Sequence, residues 1–110
     1  MISKMPKDKM APELIRDGLL KAYEKQLSPE EKALAVRSEY YALEYMPVHQ
    51  LVYWNSQKSS ASGIVDPGHF YSVGLQNCRQ YSHTLILNGI KFIEKGSACR
   101  NNDGSWTTLE

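Results

Sequence analysis

The chain has 110 residues with 13 Lys and Arg against 12 Asp and Glu, a net charge of +1 and no long run of like charge. That balance gives no field to steer it onto nucleic acid or anionic lipid, so neither is an expected partner. A domain of this size buries a little over ~60% of its unfolded surface and folds alone with little margin. No apolar run approaches the ~18–20 residues of a membrane span, and the opening MISKMPKDKMAPE has neither a signal-peptide core nor a small-residue cleavage pattern. As given, the chain is expected to be soluble.

Residues 1–26 read as an amphipathic N-terminal helical segment. Ala11, Leu14, Ile15, Leu19 and Ala22 recur at helical spacing, and Pro12 is tolerated in a first turn. Gly18 weakens this helix by about 1 kcal/mol relative to alanine. Its stripe, residues 11–22, exceeds what one small sheet can cover and is a candidate homo-oligomer contact.

A second helix should start at Ser28, which can cap it; Pro29 suits the first position, and Glu31 completes a Ser-x-x-Glu capping box. Ala33, Val36, Tyr40 and Leu43 form the core stripe, widened by Leu34 and Tyr41, and Pro47 stops the helix just beyond Tyr45.

After Pro47 the period becomes two. QLVYWNS reads as a strand, SQKSSASG as a polar loop, and GIVDPGHFYSVG as a strand interrupted at Asp66-Pro67-Gly68 before another begins. NCRQYSHTLIL and IKFIEKGSACR follow, joined by Asn88-Gly89, and SWTTLE closes the chain after Asp103-Gly104. The fold class is α+β: one or two N-terminal helices on a four- to five-stranded antiparallel meander, with residues 27–110 as the globular domain.

Asn-Gly between alternating apolar runs signals a type I′ hairpin, which needs positive φ at both central residues. A two-residue loop pairs Leu87 with Ile90, and nine steps back along each strand Cys78 faces Cys99. Leu87 and Ile90 close the turn as a hydrogen-bonded pair, so by alternation the cysteines form a non-bonded pair, with Cα atoms ~4.5 Å apart and within disulfide reach. A zinc site or catalytic thiol is the weaker reading, since there is no C-x-x-C partner set and neither explains the matched register. The bridge would contribute about 3 kcal/mol and implies an oxidising compartment such as a periplasm, cell surface or secreted fluid.

The same register sets Tyr81 opposite Gly96 and His83 opposite Glu94, a candidate charge pair. One face carries Tyr81, Leu85, Leu87, Ile90, Phe92 and Ala98 and is assigned to the helices. The other carries Gln80, Ser82, Thr84, Lys91, Lys95 and Ser97 with Ile86, Ile93 and the cysteines.

Catalytic signatures are missing: no Gly-rich phosphate loop, G-x-S-x-G elbow, H-E-x-x-H or EF-hand pattern occurs. His49, His69 and His83 lack metal-ligand spacing, so no metal, cofactor or enzymatic activity is expected. Glu30 and Glu31 are a helix N-terminus rather than a carboxylate pair. The seven tyrosines and two tryptophans suit both small cores and interfaces. Arg79 and Arg100, each beside a cysteine, form either a basic spot flanking the bridge or solvated strand ends; with His69 and Tyr71 they are the candidate interaction surface.

These residues resemble the C-terminal domain of the rickettsial 17 kDa surface antigen family of outer-membrane lipoproteins, over about residues 27–109. The match runs from the acidic helix start and Ala42-Leu43-Glu44 through Trp54-Asn55, Gly63, Val65, Pro67, Tyr71 and Gly74. It continues through Cys78-Arg79, Tyr81, Thr84, Gly89, Gly96 and Ala98-Cys99-Arg100 to Asp103-Gly104-Ser105-Trp106. The C-R-x-Y…G-x-A-C-R-x-x-D-G-x-W spacing is its specific part. The resemblance implies a Gram-negative cell envelope, at the outer membrane, periplasm or cell surface, with surface antigenicity and no enzyme. Family members resemble one another in a lipidated cysteine followed by a glycine-zipper segment, whereas Met1–Gln26 is charged, with one glycine and no cysteine. Membrane association is expected only through an N-terminal anchor of that kind.

The leading expectation is a non-enzymatic envelope domain that binds a protein or envelope component. The alternatives are a small secreted inhibitor of a hydrolase such as lysozyme, or a helix-mediated subunit of an envelope assembly. Thiol titration of the native protein purified under air should find no free cysteine, and Cys78→Ser with Cys99→Ser should lower unfolding stability by about 3 kcal/mol in denaturant titration. Two reactive thiols in the folded protein would contradict the register.

Overall fold

The computed structural model describes residues 14–109. In chain order it contains β1 (Ile15–Arg16), a 3-10 helix (Lys21–Gln26), α1 (Pro29–Tyr45), β2 (Val52–Asn55), β3 (Ser62–Val73), β4 (Gln76–Leu87), β5 (Ile90–Arg100) and β6 (Trp106–Leu109). The six strands make one sheet in the order β1-β6-β5-β4-β3-β2. β2 to β6 are an antiparallel meander, but β1 lies parallel to β6, with Ile15 beside Trp106. The sheet therefore has six strands and is mixed, where four or five purely antiparallel strands were expected.

Of the helix expected over residues 11–22, Leu14 is helical and Lys21 and Ala22 open the 3-10 helix, but residues 15–20 form β1 and a turn instead; residues 11–13 lie outside the described residues. Asp17 and Gly18 both take left-handed backbone, at φ 74° and 69°, and turn the chain sharply after β1. Helical spacing of Leu14, Ile15 and Leu19 is a weak local preference, and burial against the sheet overrides it. Leu14, Ile15 and Leu20 all enter the core. Of the stripe that was expected to seek a second chain, Leu14 and Ile15 are buried and Leu19 is half-buried in this chain's own fold, Ala22 is exposed, and Ala11 lies outside the described residues.

α1 follows its local signals. Ser28 Oγ accepts from the Glu31 N–H at 3.1 Å while Glu31 Oε1 accepts from the Ser28 N–H at 2.9 Å, and Pro29 opens the first turn. Its buried line differs from the expected one, since Glu31, Ala35, Ser38, Glu39 and Ala42 are buried whereas Ala33 and Val36 are only half-buried. A hydrophobicity pattern misses this line because its members are small or charged. Tyr40, Tyr41 and Leu43 flank it as read from the sequence.

Asn88 and Gly89 adopt φ 50° and 79°, and the β4–β5 ladder runs from Leu87–Ile90 to Cys78–Cys99 without a slip. The cysteines are bonded, with Cα atoms 3.9 Å apart, the close approach of a non-bonded pair. β3 is a single strand of 12 residues carrying a bulge between Pro67 and Phe70, where the sequence suggested two strands. Proline lacks an N–H, yet here it sits where that N–H would point off the sheet, so the β3–β4 ladder loses nothing.

Glu31 also accepts from Ser56 and, at 2.7 Å, from Ser59, which ties the helix start to the loop between β2 and β3. These hydroxyls and the Ser28 N–H hold its pKa down to about 2. A carboxylate lowered in the fold contributes stability above its unfolded pKa, and that contribution fades as pH falls toward the folded value. Glu31→Gln should therefore cost about 1–2 kcal/mol at pH 7, with the gap to the wild type narrowing between about pH 4.5 and 2 in urea titrations. A gap independent of pH would show that the charge is not what matters.

Candidate binding site on the open face of the sheet

The most concentrated polar chemistry is buried between α1 and the sheet. Glu39 Oε1 accepts from Tyr81 Oη at 2.8 Å, Oε2 accepts from His83 Nδ1 at 2.7 Å, and the Leu19 N–H reaches both oxygens at 3.2 and 3.0 Å. Trp54 Nε1 donates to His83 Nε2 at 2.8 Å. An indole N–H only donates, so Nε2 is the bare ring nitrogen and Nδ1 carries the hydrogen that goes to Glu39. Thr108 Oγ1 completes the chain, donating to Tyr81 Oη at 2.9 Å and accepting the Gly18 N–H at 3.2 Å. Burial and the neighbouring Glu39 push the Tyr81 phenol well up, which keeps it a donor.

A Glu–His pair invites a catalytic reading, but the geometry argues against it. Both imidazole nitrogens are engaged, the ring is wholly buried, and the Trp54 indole closes over Gly63, where a Cβ would run into Nε1. A general base needs a free nitrogen within reach of a substrate, and His83 has none. The charge pair expected between His83 and Glu94 does not form. They are cross-strand neighbours, but Glu94 accepts from Tyr23 Oη at 2.6 Å, which raises the Tyr23 pKa.

Arg79 is likewise a core residue and not part of an accessible surface. Its Nη1 donates to the carbonyls of Ala42 and Leu43 at 2.9 Å each, and its Nε donates to the Gly68 carbonyl at 3.0 Å. It thus places a cation against the last carbonyls of α1, where the helix dipole favours one. Phe70 covers the guanidinium, with its ring centroid 4.1 Å from Cζ, and Nη2 has no hydrogen-bond partner among the described residues. Burial pulls its pKa down.

The other sequence-derived candidates are at the surface but do not form one site. Arg100 is tied to Glu44 by two contacts, at 3.0 and 3.2 Å, and Trp106 Nε1 donates to the same carboxylate at 2.9 Å. Tyr71 pairs with Cys78 at the far end of β3. His69 lies at the bulge, its ring edge-on to His49 with centroids 5.7 Å apart.

What remains accessible is the face of the sheet turned away from α1. Tyr53, Ile64, Thr84 and Ile93 form a continuous cross-strand row over β2 to β5, and Tyr53 and Ile93 are each at least half exposed. Asp66, Ser82 and Lys95 form the next row. Where the bulge opens, a shallow cleft of about 550 Å³ is lined by His49, Asp66, Gln80, Ser82, Lys95 and Ser97. His49, in left-handed backbone at φ 64°, is held by its N–H on the Pro67 carbonyl at 2.6 Å and its Nδ1 on Asp66 Oδ1 at 2.9 Å. The cleft can hydrogen-bond a polar ligand and offers both signs of charge. Among the described residues no three His, Cys, Asp or Glu side chains are grouped to hold a metal ion. The sequence put Gln80, Ser82, Lys95 and Ser97 on this face through the Asn-Gly register; the approach of His49 depends on the loop after α1 and had no local signal.

The chain is 33% identical over 85 residues to the 17 kDa surface antigen of Rickettsia rickettsii, matching 76% of this chain and 53% of that protein. It is related to the rickettsial 17 kDa surface antigen family. The protein of that name from Rickettsia bellii is 31% identical over 84 residues, with 76% of this chain and 53% of the relative covered. That from Rickettsia prowazekii is 36% identical over 70 residues, or 62% and 43%. The chain spans about half the length of these curated relatives. No family model and no solved structure matches it.

Burial separates the two histidine–carboxylate pairs energetically. Glu39→Ala strands three buried donors and should cost about 3–5 kcal/mol in urea denaturation. Asp66→Ala removes an exposed pair and should cost no more than about 1 kcal/mol.

Proposed function

We propose that this protein is a non-enzymatic cell-envelope module that holds a protein or envelope component against the open face of its sheet. The observation that carries this reading is the one-sidedness of the fold. α1 and the 3-10 helix pack on the face that carries Tyr81, Leu85 and Phe92, and no helix among the described residues covers the face carrying Tyr53, Ile93 and Lys95. A row with aromatic and aliphatic members beside a polar cleft has the make-up of a recognition surface, in which apolar contact supplies affinity and fixed polar groups supply orientation.

The name surface antigen, carried by the relatives, supports a location in the envelope, and the disulfide suits an oxidising compartment there. None of the helices among the described residues is long and apolar enough to cross a membrane. Attachment would then come through a lipid anchor of the kind the family resemblance implies, with the open face left to the partner.

The experiment compares immobilised wild-type protein with a Tyr53→Ala, Lys95→Glu variant for capture of components from envelope extracts. Both positions are exposed, so disulfide and melting temperature should be unchanged. The account expects at least one component to be captured by the wild type and lost from the variant. Captures identical for the two proteins would remove the open face as the binding surface.

A further inference from the structure

Along its outer side β3 is paired only as far as Val65, which faces Val52 of β2. Beyond that point, among the described residues, the His49 N–H reaches the Pro67 carbonyl and Arg79 Nε reaches the Gly68 carbonyl. The direction of the remaining backbone groups follows from ladder parity. Val73 and Gln76 close the two-residue β3–β4 turn as a bonded pair, so Tyr71 bonds to Cys78, whereas Phe70 and Ser72 turn their N–H and C=O groups off the sheet. Cys78 thereby bonds toward β3 and is non-bonded toward Cys99, in agreement with the disulfide register.

Natural edges are usually blunted by charge, proline or a bulge. Pro67 and the bulge protect the inner half of this edge, but the outer half has none of these. From Pro67 to Cys78 there is no Asp or Glu and no Lys or Arg. Phe70 and Val73 are more than half exposed, and Leu75 at the hairpin tip is fully exposed. Unpaired backbone groups beside exposed apolar side chains are the requirements for strand addition.

We propose that this edge pairs with the same edge of a second copy of the chain, antiparallel and two-fold, with Phe70 bonded to Ser72 of the other copy and Tyr71 facing its own counterpart. Three features select this occupant. Among the described residues nothing pairs with the outward groups of Phe70 and Ser72, and set antiparallel about Tyr71 these two residues satisfy each other in both directions. Moving the pairing one repeat inward would call on the Gly68 carbonyl, which already accepts from Arg79, and one repeat outward would call on the turn at Gly74. The uncharged edge meets no like charge in a copy of itself. The contact is small and belongs with weak, concentration-dependent interfaces.

The two-fold axis supplies the test, because position 71 meets itself. In sedimentation velocity up to about 1 mM, the mass of the wild type should rise from one chain toward two. Tyr71→Lys and Tyr71→Glu should each remain at one chain, and their equimolar mixture should regain the two-chain species. Ser72→Pro leaves the β3–β4 ladder intact, because that N–H points outward, and should abolish pairing while the melting temperature holds. A wild type of single-chain mass throughout would overturn the proposal. So would pairing undiminished in Ser72→Pro, or a Lys–Glu mixture no more associated than its components.

Discussion

One buried carboxylate joins the parts of this molecule that would otherwise have no reason to meet. Glu39 projects from the middle of α1 and takes hydrogen bonds from the backbone after β1, from Tyr81 and from His83. A carboxylate removed from water is costly unless its lone pairs are filled, so these donors hold the helix in one position and orientation over the sheet. His83 passes the constraint on to Trp54 in β2, and Tyr81 passes it to Thr108 in β6. Almost the whole width of the sheet is tied to one side chain.

The one-sided architecture follows from this. With the helix fixed on the Glu39 side, the alternating residues of β2 to β5 are divided into a covered face and a bare one. The disulfide braces the bare face at one end, where Cys78 and Cys99 lie in the same parity as Gln80, Lys95 and Ser97. Arg79, one residue along, points the opposite way and anchors the C-terminal end of α1. Neighbouring residues in one strand thus serve opposite sides of the molecule, one pinning the helix and the other bracing the uncovered face.

Where a local chemical rule decided the structure, the sequence was readable. The capping box at Ser28 and Glu31, the stop before Pro47, and the Asn88-Gly89 turn with the cysteine pairing that follows from it all depend on a few adjacent residues. What escaped depended on distant ones. The short β1 interrupts the expected helix, and its neighbour Trp106 lies far along the chain. The polar core was partly signalled, since the hairpin register already set Arg79 and His83 in the parity of Tyr81, Leu85 and Ala98. Their charge argued for the surface, and the partners that reverse that argument, Glu39 and the carbonyls of Ala42 and Leu43, lie more than 30 positions away. The cleft was half legible: its strand residues came from register, whereas His49 came from a loop without a pattern of its own.

The hydrogen-bond chain through His83 can be read by nitrogen-detected NMR of the imidazole, together with exchange of the Trp54 indole proton. The account requires the Nδ1–H tautomer, a bare Nε2 and an indole proton that exchanges only on global unfolding. An Nε2–H tautomer, or an indole proton lost to solvent within the folded state, would mean that Glu39 does not tie the helix to the sheet in the way described.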